Sequence, residues 1–301
     1  MSDPDRRSHR RAVWTALFVT VLWSSSWVLV RVGLDDESLP PLTFAGLRYS
    51  LAAIVLLAVV LRRPGSRTEL GGLGLHGWRG LAVLGVVFYA VTQGAQFVAI
   101  DNQPAATTSL MLAPTPFLVA VLSQRSIGET VHRRQVVGAA VMIVGAVVYF
   151  AGDLGATVVG MTAAAIGLSA NVTSSLLGRV VNRSRQLSPL TVTAVSMTVG
   201  SAVLLTAGLA VEGVPHLSGT AIVVIAWLAV INTAWAFTMW NASLRRLTAV
   251  ESAAINNTML IQIAVLAWVF LGEPPGPVGG VGIAVVSAGA LLAQGVRRRR
   301  T

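Results

Sequence analysis

Residues 127–150, IGETVHRRQVVGAAVMIVGAVVYF, and residues 271–294, LGEPPGPVGGVGIAVVSAGALLAQ, decide how the rest of the chain is read. The dipeptide Gly128–Glu129 returns as Gly272–Glu273, and Gly138 and Gly145 return as Gly282 and Gly289, all displaced by 144 residues. Nearer the start of each half the displacement is 148: Arg31 maps onto Arg179, and PLT at 41–43 onto PLT at 189–191. With 29 glycines in the chain, short apolar matches arise easily by chance. A dipeptide with two later glycines in register, a tripeptide and an arginine do not. The chain therefore reads as a duplication, with copies at residues 1–151 and 152–301.

The duplicated unit belongs in a membrane. Of 301 residues, 54% are apolar and 11% charged, against about 25% charged in soluble domains, and the mean hydropathy is +0.72. This composition excludes a soluble globular domain and a disordered chain. The absence of cysteine excludes a disulfide scaffold, thiolate catalysis and cysteine-bound metals. A spanning helix needs roughly 20 apolar residues, and ten apolar runs can be marked: 12–34, 42–61, 79–100, 104–124, 135–151, 156–178, 190–211, 219–244, 249–271 and 276–296. The expected fold is an all-α integral membrane protein of ten transmembrane helices. The first run reads as a span rather than a cleaved leader, since its apolar core exceeds about 15 residues and no small-residue cleavage site follows.

All 22 basic residues are arginines, and the net charge is +10. A nucleic-acid binder would gather them on one face. Here they alternate between loops: Arg6, Arg7, Arg10 and Arg11; Arg62, Arg63, Arg67 and Arg79; Arg125, Arg133 and Arg134; Arg179, Arg183 and Arg185; Arg245 and Arg246; Arg297 to Arg300. The intervening turns carry none. Twenty fall on one side of a ten-span chain, which predicts both termini in the cytoplasm. Five spans per copy is an odd number, so the second copy is expected to enter the membrane inverted. Glu129 then lies inside and Glu273 outside, Arg31 outside and Arg179 inside. Inverted repeats are a device by which carriers obtain two related gate arrangements.

Several motifs resemble one family: LWSSSWVLVRVGL at 22–34, PPLTFAGLRYSLAA at 40–53, QFVAI at 96–100, PAATTSLMLAPTPFLVAVL at 104–122, WNASLRRLTAVESAAI at 240–255 and FLGE at 270–273. The chain resembles the drug/metabolite transporter superfamily, specifically the ten-span EamA-type exporters. That resemblance implies a bacterial inner-membrane protein with spans three, four, eight and nine around a central cavity. It further implies export of amino acids, metabolites or drugs. One departure concerns bending. Pro114 and Pro116 in span four read as hinge residues, whereas span nine has Thr258 and Leu260 at the aligned positions. Asn256 and Asn257 are the substitutes for local flexibility there.

Polar side chains inside a membrane are costly and usually face a cavity or a partner helix. Arg48 lies about 10 Å below the outer edge of span two, and no acidic residue lies at membrane depth, Glu251 standing at the inner end of span nine. It reads either as an anchor for a substrate carboxylate or as a fold-holding arginine on backbone carbonyls or on Asp101. Gln93 and Gln96 share a helix face, as do Asn232 and Trp235. Trp23 and Trp27 bracket three serines, and Asn171, Asn256, Asn257 and Gln262 add amides. Singly, such amides are often interhelical glue; together they suggest a wet cavity with aromatic walls. Tyr89 and Met111 are cavity candidates that packing would equally explain. Trp14, Trp78 and Trp268 read as interface anchors, Glu251 as an ion-pair partner of Arg245 and Arg246, and Gly138, Gly145, Gly282 and Gly289 as helix-packing surfaces.

No paired acids, nucleophile–base pair or histidine cluster reaches membrane depth, which argues against an intramembrane enzyme, a metal site or any cofactor. The ring of charges typical of many selectivity filters is absent too. The expected function is a carrier for small organic solutes, with uptake by the same fold as the alternative. Facilitated alternating access or weak coupling is expected rather than a carboxylate proton relay, and the expected assembly is a monomer or homodimer without a nucleic-acid partner.

Overall fold

The computed structural model describes residues 3–294 apart from 116, 120, 123–132, 152–154, 184–186, 245 and 248. Every regular element among the described residues is helical. Helix α1 covers Asp3–Asp35, α2 Pro41–Leu61, α3 Pro64–Gly71, α4 Leu75–Gly85, α5 Gln93–Asn102, α6 Ala105–Leu112 and α7 Arg133–Phe150. Then follow α8 Val158–Arg183, α9 Pro189–Glu212, α10 Gly219–Ala229, α11 Ala236–Leu244, α12 Ala249–Leu271 and α13 Gly276–Gln294. A π-helical segment, Val86–Thr92, joins α4 to α5, and a second, Val230–Trp235, joins α10 to α11.

Among the described residues six helical stretches are long and apolar enough to cross a membrane: Arg7–Asp35, Pro41–Leu61, Leu75–Asn102, Val158–Gly178, Pro189–Glu212 and Gly219–Trp240. Four shorter apolar stretches, Ala105–Val119, Val136–Tyr149, Thr258–Leu271 and Gly276–Leu292, fall where the sequence places spans four, five, nine and ten. Helix α3 is too short and polar to span and fills the arginine-rich third segment.

Two compact units form, and each draws helices from both sequence halves. One contains Leu29–Gln103 and Thr157–Thr238. In it α2 and α9, the helices that open with the repeated PLT, pack antiparallel. A Cβ on Gly46 would lie 2.6 Å from Leu205 Cα, and one on Gly208 2.6 Å from the Thr43 nitrogen, so the glycines are what permit this backbone approach. Pro41 and Pro189 suit the first helical turn, where a missing N–H costs nothing. The N–H groups just after them need acceptors. Glu212, closing α9, accepts from Leu42 N (3.0 Å) and Thr43 N (2.8 Å). Glu69, in α3 just beyond α2, accepts from Ser188 N (3.1 Å) and Thr191 Oγ1 (2.9 Å). The first PLT thus marks a helix start capped by the carboxylate that closes the other helix; at the second, Ser188 Oγ caps Thr191 N (3.3 Å) and Glu69 holds the Ser188 cap in place. At the ends of spans one and three, Arg31 donates to the carbonyls of Ile100 and Asp101 and pairs with Asp35 at 2.7 Å.

The other unit contains Met1–Val28, Pro104–Ala156 and Met239–Thr301. Here α7 and α13 pack antiparallel, and the repeated glycines are the contact. A Cβ would fall 2.6 Å from Val286 N at Gly145, 2.6 Å from Tyr149 Cα at Gly282, and 2.7 Å from Gly138 O at Gly289. The expected packing role of these four glycines holds. Leu110, Met142, Tyr149 and Val286 form the core beside them. Glu273 accepts from Ala105 N at 3.2 Å, which ties the repeated Gly–Glu to the start of α6. Its counterpart Glu129 lies outside the described residues, as do Arg245 and the side chain of Glu251. Helix α6 ends at Leu112, and the turn at Ala113–Pro114 interrupts the ladder as a proline dictates. Pro116 lies outside the described residues. Helix α12 runs unbroken through Thr258 and Leu260, where the sequence lacks the prolines.

Candidate functional site

Arg48 is the side chain with most at stake. A charge at the centre of a spanning helix costs about 3 kcal/mol on insertion scales. Helix α2 turns it inward, so that it is only 6% exposed. Its Nε donates to Thr233 Oγ1 at 3.3 Å. The guanidinium carbon stands 5.1 Å from the centre of the Tyr49 ring and 5.9 Å from that of Phe97. It makes no salt bridge with a described residue, and its two Nη groups make no hydrogen bond among them. Both structural roles considered for Arg48 from the sequence are therefore replaced: it sits neither on Asp101 nor on backbone carbonyls. A hydroxyl and two aromatic faces hold it. They stabilise a cation without neutralising it, and a fork of donors remains available.

Around this arginine the same unit assembles other polar groups. Tyr49 donates its hydroxyl to Gln93 Oε1 at 2.6 Å, so the first residue of α5 is fixed by the neighbour of Arg48. Tyr89 stacks at 5.8 Å from Tyr49 and 4.7 Å from Phe88. Asn232 is fully buried beside Thr233 in the second π segment, whereas Trp235 at its end is 45% exposed. Gln96 is half-buried one turn beyond Gln93, and Asn171 is half-buried in α8. Tyr89 also borders a cavity of about 190 Å³ with Phe88, Phe237 and the hydroxyls of Ser174, Ser175 and Ser196.

π-Helical turns are rare and concentrate at functional sites, because the widened turn rotates the following residues and leaves carbonyls without their usual partner. Here the two segments start 144 residues apart, at Val86 and Val230, the displacement that also separates the paired glycines in the sequence. Each carries a threonine whose hydroxyl donates to the carbonyl five residues back: Thr92 to Val87 at 2.9 Å and Thr233 to Leu228 at 2.8 Å.

The second unit holds the remaining candidates. Gln262 is engaged on both ends of its amide. It accepts from Ser24 at 2.9 Å and donates to Thr20 (3.2 Å) and Thr258 (3.0 Å), which makes it a tie between α1 and α12. Trp23 packs on Trp240 with centroids 5.1 Å apart, and Trp27 is buried. Met111 is half-buried in α6 and Asn256 exposed on α12. The side chain of Asn257 lies outside the described residues. Tyr49, Phe97 and Thr233, none singled out from the sequence, belong to the Arg48 cluster. Only the adjacency of Tyr49 to Arg48, and of Thr233 to Asn232, could have signalled two of them.

The model of the EamA-like transporter family matches residues 10–151 and again 159–294. The chain belongs to the EamA-like transporter family. A probable terminal-alkyne amino-acid exporter of Streptantibioticus cattleyicolor is 30% identical, with 94% of this chain and 93% of that protein covered. A probable amino-acid metabolite efflux pump of Salmonella typhimurium is 27% identical over 97% and 98%. A solved chain described only as a crystal structure of protein superposes with a TM-score of 0.67 at 21% identity. It covers 94% of this chain and 97% of itself, and it shares the fold. This EamA-like transporter is accordingly a multi-pass protein of the bacterial inner membrane with a small-molecule substrate.

Proposed function

We propose that this transporter exports small organic solutes bearing a carboxylate, namely amino acids or aromatic metabolites, by alternating access. It does so as a ten-span chain of two inverted five-helix repeats, 1–151 and 152–301, with both termini in the cytoplasm. The observation that carries the reading is Arg48: a buried guanidinium, held by Thr233 and flanked by Tyr49 and Phe97, whose Nη donors meet no carboxylate among the described residues. Planar donors in a water-poor site match a carboxylate in bidentate fashion. Aromatic neighbours add stacking for a ring-bearing solute. The names of the two long relatives, an amino-acid exporter and an amino-acid metabolite efflux pump, agree with that chemistry.

The inverted repeat is supported by the packing of each helix on its own repeat mate, α2 on α9 and α7 on α13, antiparallel in both cases. Such repeats supply carriers with two related conformations. Pro114 and Pro116 are the proposed hinge of span four. Gln93, Gln96, Tyr89, Asn171, Asn232 and Trp235 are the proposed solute-facing residues of the first unit, and Trp23, Trp27, Met111, Asn256 and Asn257 those of the second. Gln262 stands apart, since the ties to Ser24, Thr20 and Thr258 occupy its amide. With acidic residues only at the ends of the spans, transport runs without a carboxylate proton relay at membrane depth.

Counterflow in proteoliposomes tests this. Vesicles preloaded with unlabelled L-amino acids and aromatic acids are expected to accumulate the same labelled solute transiently, with no ion gradient and equally at pH 6 and pH 8. Accumulation that needs an imposed pH gradient would contradict the uncoupled mechanism. Flux that never saturates would contradict a carrier.

A further inference from the structure

Thr233 has one hydroxyl hydrogen and donates it to Leu228 O at 2.8 Å. Its oxygen is left as an acceptor, and Arg48 Nε–H, 3.3 Å away, is the donor that meets it. The direction is fixed, because an arginine has only donors to offer. Serine and threonine in a regular helix reach three or four residues back, as Ser196 does to Val192 and Thr198 to Ala194. A reach of five residues accompanies the π register. In an α register, Leu228 O would be taken by the N–H of Asn232. Thr92 makes the same five-residue bond to Val87 in the other π segment. There the hydroxyl's contact ends at the backbone, whereas Thr233 adds an arginine.

We propose that Thr233 is the positioning residue for Arg48, and that it makes the arginine's orientation and the register of Val230–Trp235 one linked state. The inference rests on reading Arg48 as the carboxylate anchor. With Nε committed to Thr233, the guanidinium presents its Nη1/Nη2 edge, so the solute carboxylate docks end-on rather than along the Nε side. A return of the segment to α register removes the carbonyl that orients the Thr233 hydroxyl and releases Nε. Occupation of Arg48 by a carboxylate and the π register are thereby coupled, which gives span eight a backbone element that responds to the solute.

Hydrogen exchange on the full chain in nanodiscs tests the coupling without any substrate. Thr233→Val and Arg48→Gln are each expected to raise amide exchange across residues 228–236 about tenfold, the scale of one hydrogen bond to a charged group. Thr233→Ser is expected to keep it at the wild-type rate, and Thr92→Val to raise exchange across 86–92 alone. Exchange across 228–236 that is unchanged in both Thr233→Val and Arg48→Gln would overturn the proposal. Should Arg48→Gln fail to fold, Thr233→Val decides alone. In counterflow of labelled L-phenylalanine and L-leucine, Thr233→Val is expected to slow the rate about tenfold and Thr233→Ser to restore it. A Thr233→Val protein that transports at the wild-type rate would also overturn the proposal. If wild type moves neither amino acid while the exchange coupling persists, the carboxylate reading fails and the Thr233–Arg48 link stands.

Discussion

At the scale of single residues, the chain separates polar groups that hold helices from polar groups whose capacity is left open. Gln262 is of the first kind. Its amide bridges α1 and α12 through two bonds, to Ser24 and Thr20, with a third to Thr258 on its own helix, and polar bonds between membrane helices are worth about 0.6 kcal/mol each. Gln262→Leu is therefore expected to lower the unfolding free energy by about 1–2 kcal/mol, read as a drop in the melting midpoint in detergent. An unchanged midpoint would refute the tie. Arg48 is of the second kind. Arg48→Lys keeps the charge but replaces a planar fork with a point donor. Counterflow is expected to fall at least about tenfold, with the protein still monodisperse and folded. Transport by Arg48→Lys at the wild-type rate would remove the bidentate argument. The cost of Arg48 was legible in the sequence, as was the absence of a membrane carboxylate to pair it. Its actual holders were not. Thr233 is one of many membrane threonines that bond their own backbone, and a tyrosine next in sequence points elsewhere in a regular helix.

At the scale of elements, the motifs that recur in the sequence lie at helix contacts. The glycines at 145, 282 and 289 bring α7 and α13 to backbone distance, and Gly46 and Gly208 do the same for α2 and α9. Gly282→Val places its branch against Tyr149 and is expected to cost about 1–3 kcal/mol of overpacking. The doubled PLT has a different cause. It is a helix start whose free N–H groups are met by Glu212 in one case, and in the other by Ser188 Oγ, itself held by Glu69. Glu212→Ala is expected to destabilise by about 1–2 kcal/mol, while Glu212→Gln, which retains one of the two acceptor oxygens, recovers only part of that in a thermal unfolding assay. Equal melting of Glu212→Ala and wild type would refute the cap. The identity of the caps was hidden because each carboxylate lies more than 100 residues from the amide it meets. The π segments were hidden for another reason. VVFYAVT and VINTAW contain no proline or glycine and read as ordinary apolar helix.

At the scale of the whole molecule, composition and hydropathy sufficed for the class, because a bilayer imposes span length and excludes charge. Six spans follow at full length, and four shorter apolar stretches stand where the remaining runs were marked. The pairing of repeat mates within each unit did not follow from span marking, since hydropathy contains no information on which helix neighbours which. The alternation of arginines makes a prediction at this scale. The chain has no cysteine, so a single introduced thiol reports topology cleanly. His216→Cys, between α9 and α10, is expected to react with a membrane-impermeant maleimide on intact cells, and His76→Cys, at the start of α4, only after permeabilisation. The reverse pattern would invert the proposed orientation.

The most direct test of the central claim compares acids with their amides. Proteoliposomes preloaded with L-phenylalanine are assayed for counterflow of labelled L-phenylalanine, in the presence of excess unlabelled L-phenylalanine or L-phenylalaninamide. If Arg48 anchors the solute through its carboxylate, the acid competes and the amide does not, and Arg48→Lys loses the exchange. Competition by the amide equal to that by the acid would contradict the account.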